Sequence, residues 1–150
     1  PDEDAPALTA RLAQLGAEAL SETVAALAAG TAARTPQNEA EMTYAPMLGR
    51  ELSAMDWTRS AAALSCQVRG LIPWPCASTE LGGATVKVFR TEVGSETAKA
   101  PGTVAAAGKA GIDVACGDGR LLRILELQPQ GGRRMAAADY LRGHPLQVEA

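Results

Sequence analysis

The chain has 150 residues, of which 47% are apolar and 21% charged, and its net charge is −3. This composition is ordinary for a soluble globular protein, and no apolar run approaches the length of a transmembrane helix, which argues against a membrane protein. The charge is asymmetric: residues 1–55 hold three basic and eight acidic side chains, and residues 56–150 hold eleven and nine. The second part is therefore the one that can meet a polyanion.

The first segment is an amphipathic helix over residues 7–29. Leu8, Leu12 and Leu15 begin an apolar stripe with helical spacing, Pro6 lies at its start, and Gly30 follows its end. The stripe has no partner nearby in the sequence. The first residues are acidic and lack the regions of a signal peptide, and there is no initiator methionine. We therefore expect a fragment of a longer protein.

A linker and a second helix follow. Residues 31–56 have no periodicity and contain Thr, Pro, Gln and Asn, which is typical of an extended linker. Residues 58–70 again show helical spacing, with Thr58 as the expected cap and Gly70 as the stop. The helix leads into RGLIPWPC, in which Trp74 lies between two prolines. Burial tendency favours a structural role for Trp74 at this corner over ligand binding.

The rest of the chain is typical of a small β-domain. CASTEL and ATVKVFRTEV flank a Gly-Gly turn, PGTVAAA and IDVAC flank a second turn, and Gly117-Asp118-Gly119 precedes RLLRILELQ. The glycines of that last turn suit the positive backbone angles of a tight hairpin. About five short strands predict a mostly β fold with helices: a small antiparallel, OB-like open barrel. After the loop QPQGGRR, the run MAAADYLRG predicts a short C-terminal helix.

The residues offer little catalytic chemistry. The three cysteines, Cys66, Cys76 and Cys116, are odd in number and lack metal-site spacing, so we expect reduced, buried thiols and a cytoplasmic protein. The single histidine, His144, and the single asparagine, Asn38, lie in different parts of the chain. We therefore predict no catalytic, cofactor-binding or metal-binding residue in this chain.

Basic residues of the β-domain form the candidate binding surface. Two lie on one predicted strand, two on another, two in the glycine-preceded loop and one near the C-terminus; they are Lys87, Arg90, Arg120, Arg123, Arg133, Arg134 and Arg142. If the strands are neighbours, such groups can line one face and contact phosphates. Charge alone favours the other interpretation, solvated surface. Few aromatic residues accompany them, so a surface for folded RNA fits better than a base-stacking platform.

The order of short motifs resembles a known family. The series YAPMLGRE, MDW, RGLIPWPCA, LGG, VKV, APGTV, ACGDG, LELQP, GGRRM and AAADYLRGHP is similar to the C-terminal portion of methionyl-tRNA formyltransferases. The resemblance implies that residues 1–30 end a Rossmann-type formyltransferase domain, residues 31–56 form a linker, and residues 57–150 form an OB-like tRNA-binding domain. It places the catalytic residues and the site for 10-formyltetrahydrofolate upstream of this chain.

The resemblance also implies a partner and a surface. The partners are initiator methionyl-tRNA and the missing N-terminal catalytic domain, in a monomeric parent enzyme. Arg133 and Arg134 are the first candidates for tRNA contact, followed by Arg50 and the other basic residues named above. The structural residues are Trp57 and Trp74.

Two positions depart from the family pattern. Linkers of the YAxKLxKE type have two lysines, where this chain has Met47 and Arg50. The last helix opens with Met135-Ala136 instead of Met-Ser. Absence of that serine cap is expected to cost the helix about 1 kcal/mol.

Two alternative functions remain open at this point. In one, the parent formyltransferase acts on an amino sugar nucleotide or another small amine. In the other, the barrel is a non-enzymatic protein-interaction module. The GGRRM loop and the RGHP ending favour tRNA over the first alternative.

Overall fold

The computed structural model describes residues 2–148. Over this range the elements are α1 (Ala5–Ala28), α2 (Ala61–Gly70), β1 (Ala77–Leu81), β2 (Ala84–Glu96), β3 (Val104–Gly108), β4 (Gly111–Ala115), β5 (Arg120–Pro129), β6 (Met135–Ala136) and α3 (Ala137–Tyr140). Two short 3-10 turns lie at Glu39–Glu41 and Arg50–Leu52. Contacts divide the chain into a unit of residues 6–47 and a barrel unit that contains residues 48–148 together with residues 2–5.

The unit of residues 6–47 consists mainly of α1, as the apolar periodicity predicts. Gly30 follows the helix with φ +71°, and the amide of Thr31 donates to the carbonyl of Ala26 at 2.9 Å. This bond and the one from Gly30 to Leu27 form a Schellman ending. No residue of α1 is buried. The helix therefore leaves its apolar stripe uncovered, and Leu12 and Leu20 are 53% and 64% exposed.

The barrel unit is built on an antiparallel sheet with the strand order β1-β2-β5-β4-β3. The short strand β6 pairs with β5 at Glu126 and Leu127, beyond the point where β4 ends its pairing. The predicted antiparallel, open-barrel fold is confirmed, with a sixth short strand. Residues 48–56, which the sequence analysis assigns to the linker, lie in this unit, and Met55 belongs to its core.

The core lies between α2 and the inner face of the sheet. Alternation along β2 turns Val86 and Val88 inward, while β5 supplies Leu122, Ile124 and Leu127. From α2, the residues Ala61, Leu64 and Val68 are fully buried against them, at the spacing that the sequence predicts. The helix thus covers the inner face, and the outer face of β2 and β5 stays open to solvent.

The start of α2 differs from the sequence prediction. The helix begins at Ala61, and its cap is Ser60, whose hydroxyl accepts from the amide of Ala63 at 3.2 Å. A carboxylate oxygen of Asp118 accepts from the amide of Ala61 at 3.2 Å. Thr58 is not the cap, because its hydroxyl and amide both donate to Asp56. These two bonds lower the pKa of the Asp56 carboxyl.

The corner between α2 and β1 is formed by the RGLIPWPC stretch. The bonds Ile72–Pro73 and Trp74–Pro75 are cis, and Cys76 has φ +68°. The amide of Cys76 donates to the carbonyl of Leu71 at 2.9 Å, which closes the turn. Trp74 is 51% exposed, so the expectation that it is buried here is wrong. The prolines and the Cys76–Leu71 bond shape the corner, with the ring on its outside.

The exposure of Trp74 leads to a prediction about stability. We expect Trp74→Ala to lower the free energy of unfolding by about 1–2 kcal/mol, less than the roughly 3–5 kcal/mol typical of a fully buried aromatic residue, because only about half of its surface is buried. Trp57 packs against the core, and its indole N–H donates to the hydroxyl of Thr79 at 3.0 Å. Trp57→Phe loses that bond and part of the ring packed on the core, so it should cost about 2 kcal/mol. Urea unfolding of both variants compares them, and a loss above about 3 kcal/mol for Trp74→Ala, as for a fully buried aromatic residue, would contradict the half-exposed position.

The hairpin between β4 and β5 depends on its glycines in two different ways. Gly119 has φ +72°, as predicted for a tight turn. Gly117 has no positive φ, but an added Cβ would come within 1.7 Å of the backbone oxygen of Thr58. The amide of Gly117 also donates to the carbonyl of Arg59 at 2.9 Å. Gly117 therefore allows the hairpin to approach the segment before α2.

The C-terminal run folds as a strand and one helical turn, whereas the sequence predicts a single helix. Met135–Ala136 forms β6, and α3 spans only Ala137–Tyr140. The cap position, Ala136, makes no side-chain hydrogen bond, as expected from the missing serine. Ala137 and Tyr140 are buried in the core, so packing holds this turn in place.

Candidate nucleic-acid interface

The sheet brings the two predicted pairs of basic residues onto neighbouring strands. In the β2–β5 register, Lys87 lies opposite Gln128, Arg90 opposite Glu126, and Glu96 opposite Arg120. At 3.3–3.4 Å per residue, Arg120 is about 20 Å along the strand from the Arg90 end. The basic residues therefore do not converge at one point but are spread along two neighbouring strands.

One group of side chains, which we call the loop–strand cluster, consists of Phe89, Arg90, Glu126 and Arg134. The guanidinium of Arg134 donates to Oε2 of Glu126 through Nε at 2.8 Å and through Nη2 as well. Nε of Arg90 lies 3.6 Å from Oε1 of the same carboxylate. The guanidinium carbon of Arg134 lies 4.6 Å from the centre of the Phe89 ring, a cation–π distance. The cluster thus joins the loop after β5 to strand β2.

A surface cavity of about 470 Å³ opens beside this cluster. Its basic lining is Arg69, Arg90 and Arg134, and the hydroxyls of Ser65 and Thr91 also line it. Those two hydroxyls are 3.2 Å apart. Acidic side chains share the lining, namely Asp2, Asp4 and Glu92. The cavity is therefore of mixed charge and is not a simple anion pocket.

Three of the predicted contact residues have no protein partner among residues 2–148. Lys87, Arg50 and Arg133 are exposed, and within the described residues none of them makes a side-chain hydrogen bond or ion pair. Lys87 lines a second surface cavity, of about 410 Å³, together with Gln128 and Gln130. These three cations can bind phosphate without first breaking an internal contact.

The other basic residues are held by neighbours. Arg120 donates to the carbonyl of Gly94 through Nε at 3.3 Å and Nη2 at 3.0 Å. Nη2 of Arg142 lies 3.0 Å from a carboxylate oxygen of Asp139, three residues earlier. Both arginines remain exposed, so each keeps solvent-facing N–H groups.

Arg123 is the most constrained of the basic residues. It donates to Asp113 through Nε at 2.7 Å and through Nη2 at 2.9 Å. The side chain of Asp113 is only 10% exposed, and Asp113 is the one charged residue buried within the described range. The hydrogen bond and charge of Asp113 raise the pKa of Arg123. This bidentate pair joins β5 to β4, so its main role is to stabilise the pairing of these two strands.

The polar groups that most often carry catalysis have structural partners here. The amide oxygen of Asn38 accepts from the amide of Ala40, and Nδ1 of His144 lies 3.2 Å from the carbonyl of Tyr140. The His144 ring stacks on that of Tyr140 with centroids 4.3 Å apart. Burial, with the nearby charge of Asp118, raises the pKa of the Cys116 thiol to about 11.

The cysteines and the remaining donors give no metal site within the described range. Cys76 and Cys116 are buried as expected, but Cys66 is exposed, so the expectation of burial is wrong for that residue. No group of three His, Cys, Asp or Glu in residues 2–148 is arranged to hold a metal ion. No helix there is long and apolar enough to cross a bilayer.

Sequence reasoning missed the acidic member of the cluster. It identified Arg90 and Arg134 as separate cations but did not connect either with Glu126. The signal that finds this carboxylate is the strand register, which depends on bulges between Val88 and Arg90 and between Arg90 and Thr91. The alternation of apolar and polar residues in the sequence does not reveal such bulges.

A family comparison decides what kind of domain carries this surface. The model of the family described as "Formyl transferase, C-terminal domain" matches residues 47–145. The chain belongs to this family. The formyl transferase C-terminal domain therefore coincides closely with the barrel unit, and the resemblance drawn from the motifs is confirmed.

Curated relatives are similar over nearly the whole chain. A methionyl-tRNA formyltransferase of Trichlorobacter lovleyi is 47% identical over 148 residues, which cover 99% of this chain and 46% of the relative. The methionyl-tRNA formyltransferase of Bacillus subtilis is 43% identical over 141 residues, which cover 93% of this chain and 44% of the relative. The chain thus spans about half the length of the curated relatives that it matches.

A solved structure shares the fold of this formyl transferase C-terminal domain chain. HypX from Aquifex aeolicus, in complex with tetrahydrofolic acid, aligns with a TM-score of 0.61 and 21% identity. The alignment covers 88% of this chain and 24% of HypX. At this identity the likeness concerns the fold alone.

Proposed function

We propose that this chain is the tRNA-docking C-terminal part of an enzyme that transfers a formyl group from 10-formyltetrahydrofolate to the amino group of initiator methionyl-tRNA. The observation that carries the proposal is the identity of 41–47% to relatives named methionyl-tRNA formyltransferase, over at least 93% of this chain. In the parent reaction, the methionyl nitrogen forms a bond to the formyl carbon, and the bond from that carbon to the folate nitrogen breaks.

The chain itself takes the binding role in this proposal. His144 and Asn38 are engaged in local contacts. We therefore assign no step of the formyl transfer to these residues. In this proposal, basic residues of the chain bind the phosphate backbone and hold the tRNA while its aminoacyl end enters the domain upstream.

The domain organisation forms part of the same proposal. We propose that residues 1–30 are the end of a Rossmann-type catalytic domain, that residues 31–56 form the linker, of which 48–56 belong to the barrel unit, and that residues 57–150 dock the tRNA. The uncovered stripe of α1 supports the first assignment, since a stripe of this size normally packs on a partner. We further propose a monomeric, cytoplasmic parent enzyme.

The proposed tRNA ligands can be ranked by how far internal contacts already occupy their side chains. Lys87, Arg50 and Arg133 come first because they are exposed and have no described protein partner. Arg134 and Arg90 come next, since they share one carboxylate but remain about half exposed or more. Arg120, Arg142 and Arg123 come last because their guanidinium groups are more fully engaged. Such phosphate contacts position the RNA without reading its sequence.

Binding of initiator tRNA as a function of salt tests the proposal. We expect Arg133→Gln to lower the affinity about three- to tenfold at low salt and to reduce the log–log salt slope by about 0.9, the amount expected for one lost phosphate contact. Arg34→Gln is the matched control: it removes one positive charge outside the barrel unit, at an exposed arginine that is not among the proposed tRNA ligands. It should leave the slope unchanged.

Three outcomes would count against the proposal. A wild-type chain that binds tRNA with a slope near zero would contradict phosphate contact by this domain. Loss of a protein partner in Arg133→Gln with tRNA binding unchanged would favour the interaction-module alternative. Formylation of an amino sugar nucleotide, with charged tRNA ignored, by the full-length enzyme would favour the small-amine alternative.

A further inference from the structure

A single carboxylate lies between two of the proposed tRNA ligands. Glu126 contacts Arg134 through Oε2 and Arg90 through Oε1, at 2.8 Å and 3.6 Å for the two Nε atoms. Arg134 is held in two directions, since the carboxylate lies at the edge of its guanidinium and the Phe89 ring lies under its face. The two arginines alone would carry a charge of +2, and together with Glu126 they carry a net charge of +1.

We propose that Glu126 is a specificity-determining residue of the interface, an inference that rests on the proposed function. Glu126 holds the two guanidinium groups in one arrangement and repels phosphates that approach from its own side. A folded RNA can present phosphates to the free N–H groups at fixed spacing. A flexible single strand, which binds any accessible cation, loses part of the attraction. Discrimination of this kind comes from a repulsive element placed among attractive ones.

The contacts around the cluster argue against a purely structural role for Glu126. The side chains of Glu126, Arg134 and Arg90 are 28%, 51% and 62% exposed, and exposed ion pairs contribute little to folding stability. The loop after β5 is also fastened without Glu126. Nε2 of Gln128 donates to the carbonyl of Gly132 at 2.8 Å, and β6 pairs with β5. A variant at Glu126 is therefore expected to fold normally.

The test compares two RNAs on Glu126→Gln, which keeps an oxygen acceptor for Arg134 and removes the charge. We expect the affinity for single-stranded poly(U) to rise about three- to tenfold, with a salt slope steeper by about 0.7 for one added single-strand phosphate contact. The affinity for initiator tRNA should rise by less than about threefold, so the ratio of the two affinities falls. The charge-matched control is Glu80→Gln on β1, an exposed glutamate without a partner within the described residues.

The results separate this inference from the proposed function. Failure of the wild-type chain to bind tRNA would contradict the proposed function itself. Wild-type binding together with an unchanged poly(U) affinity and slope in Glu126→Gln would contradict only the role of Glu126. An equal rise in Glu80→Gln would also overturn it, since the effect would then follow from net charge. Thermal unfolding of each variant excludes a folding defect as the cause.

Discussion

Replacing Gly117 with alanine is expected to destabilise the barrel unit by roughly 3 kcal/mol or more, beyond the common range for a single substitution. The new Cβ would lie 1.7 Å from the oxygen and 2.4 Å from the carbon of the Thr58 carbonyl. Both atoms belong to the backbone, so no side-chain rotation relieves the contact. The hairpin has to move away, and the bond from Gly117 to the carbonyl of Arg59 is lost with it.

The control for this prediction is Gly108→Ala at the end of β3. An added Cβ at Gly108 meets no atom within 4 Å, and its φ is not positive. We expect this variant to unfold within about 0.5 kcal/mol of the wild type. Urea unfolding followed by circular dichroism measures both. A Gly117→Ala variant as stable as Gly108→Ala would show that the hairpin does not need to approach Thr58 so closely.

The effect of Gly117 has a consequence for the helix as well. In the same hairpin, Asp118 accepts from the amide of Ala61 and so helps to cap α2. Moving the hairpin removes this acceptor, and α2 then begins with one more unsatisfied amide. Because α2 carries Leu64 and Val68 into the core, the damage is expected to spread from the turn to the helix and the sheet.

Local patterns in the sequence predicted most of the fold. The 3.6-residue spacing of Ala61, Leu64 and Val68 and the period-two alternation around Val86 and Val88 each depend on near neighbours only. Glycine-marked turns separated the strands for the same reason. Features that depend on contacts across the chain were not predictable in this way. Glycine is needed at position 117 because the backbone oxygen of Thr58 leaves no room for a side chain there. The exposure of Trp74 depends on the direction in which the corner between α2 and β1 bends.

The candidate interface was predictable as a list of cations but not as an arrangement. Charge and the resemblance identified the basic residues, yet which of them are free depends on acidic partners that strand pairing brings to them. Glu126 meets Arg90 only because β5 pairs with β2 in one bulged register. Asp113 meets Arg123 across the β4–β5 ladder. A count of positive residues therefore overstates the number of groups that are ready to bind phosphate.

The second large effect is expected at that ladder. Arg123→Met should lower the free energy of unfolding by about 2 kcal/mol, because it leaves the carboxylate of Asp113 buried without its bidentate partner. The figure lies below the range for a fully buried pair because the Arg123 side chain is 35% exposed. Arg120→Met is the matched control on β5: it breaks bonds to a carbonyl and leaves no charge buried, so its cost should stay below about 1 kcal/mol.

The double variant Asp113→Val with Arg123→Met distinguishes a costly orphaned charge from a simple loss of contact. Valine suits a strand, and no charge then remains to be desolvated, so we expect at least half of the lost stability to return. No recovery would contradict this explanation and would assign the effect to packing by the arginine stem. Salt titrations of tRNA binding complete the comparison. If the carboxylate of Asp113 already satisfies Arg123, the slope for Arg123→Met should match that of the wild type, whereas the slope for Arg133→Gln should fall.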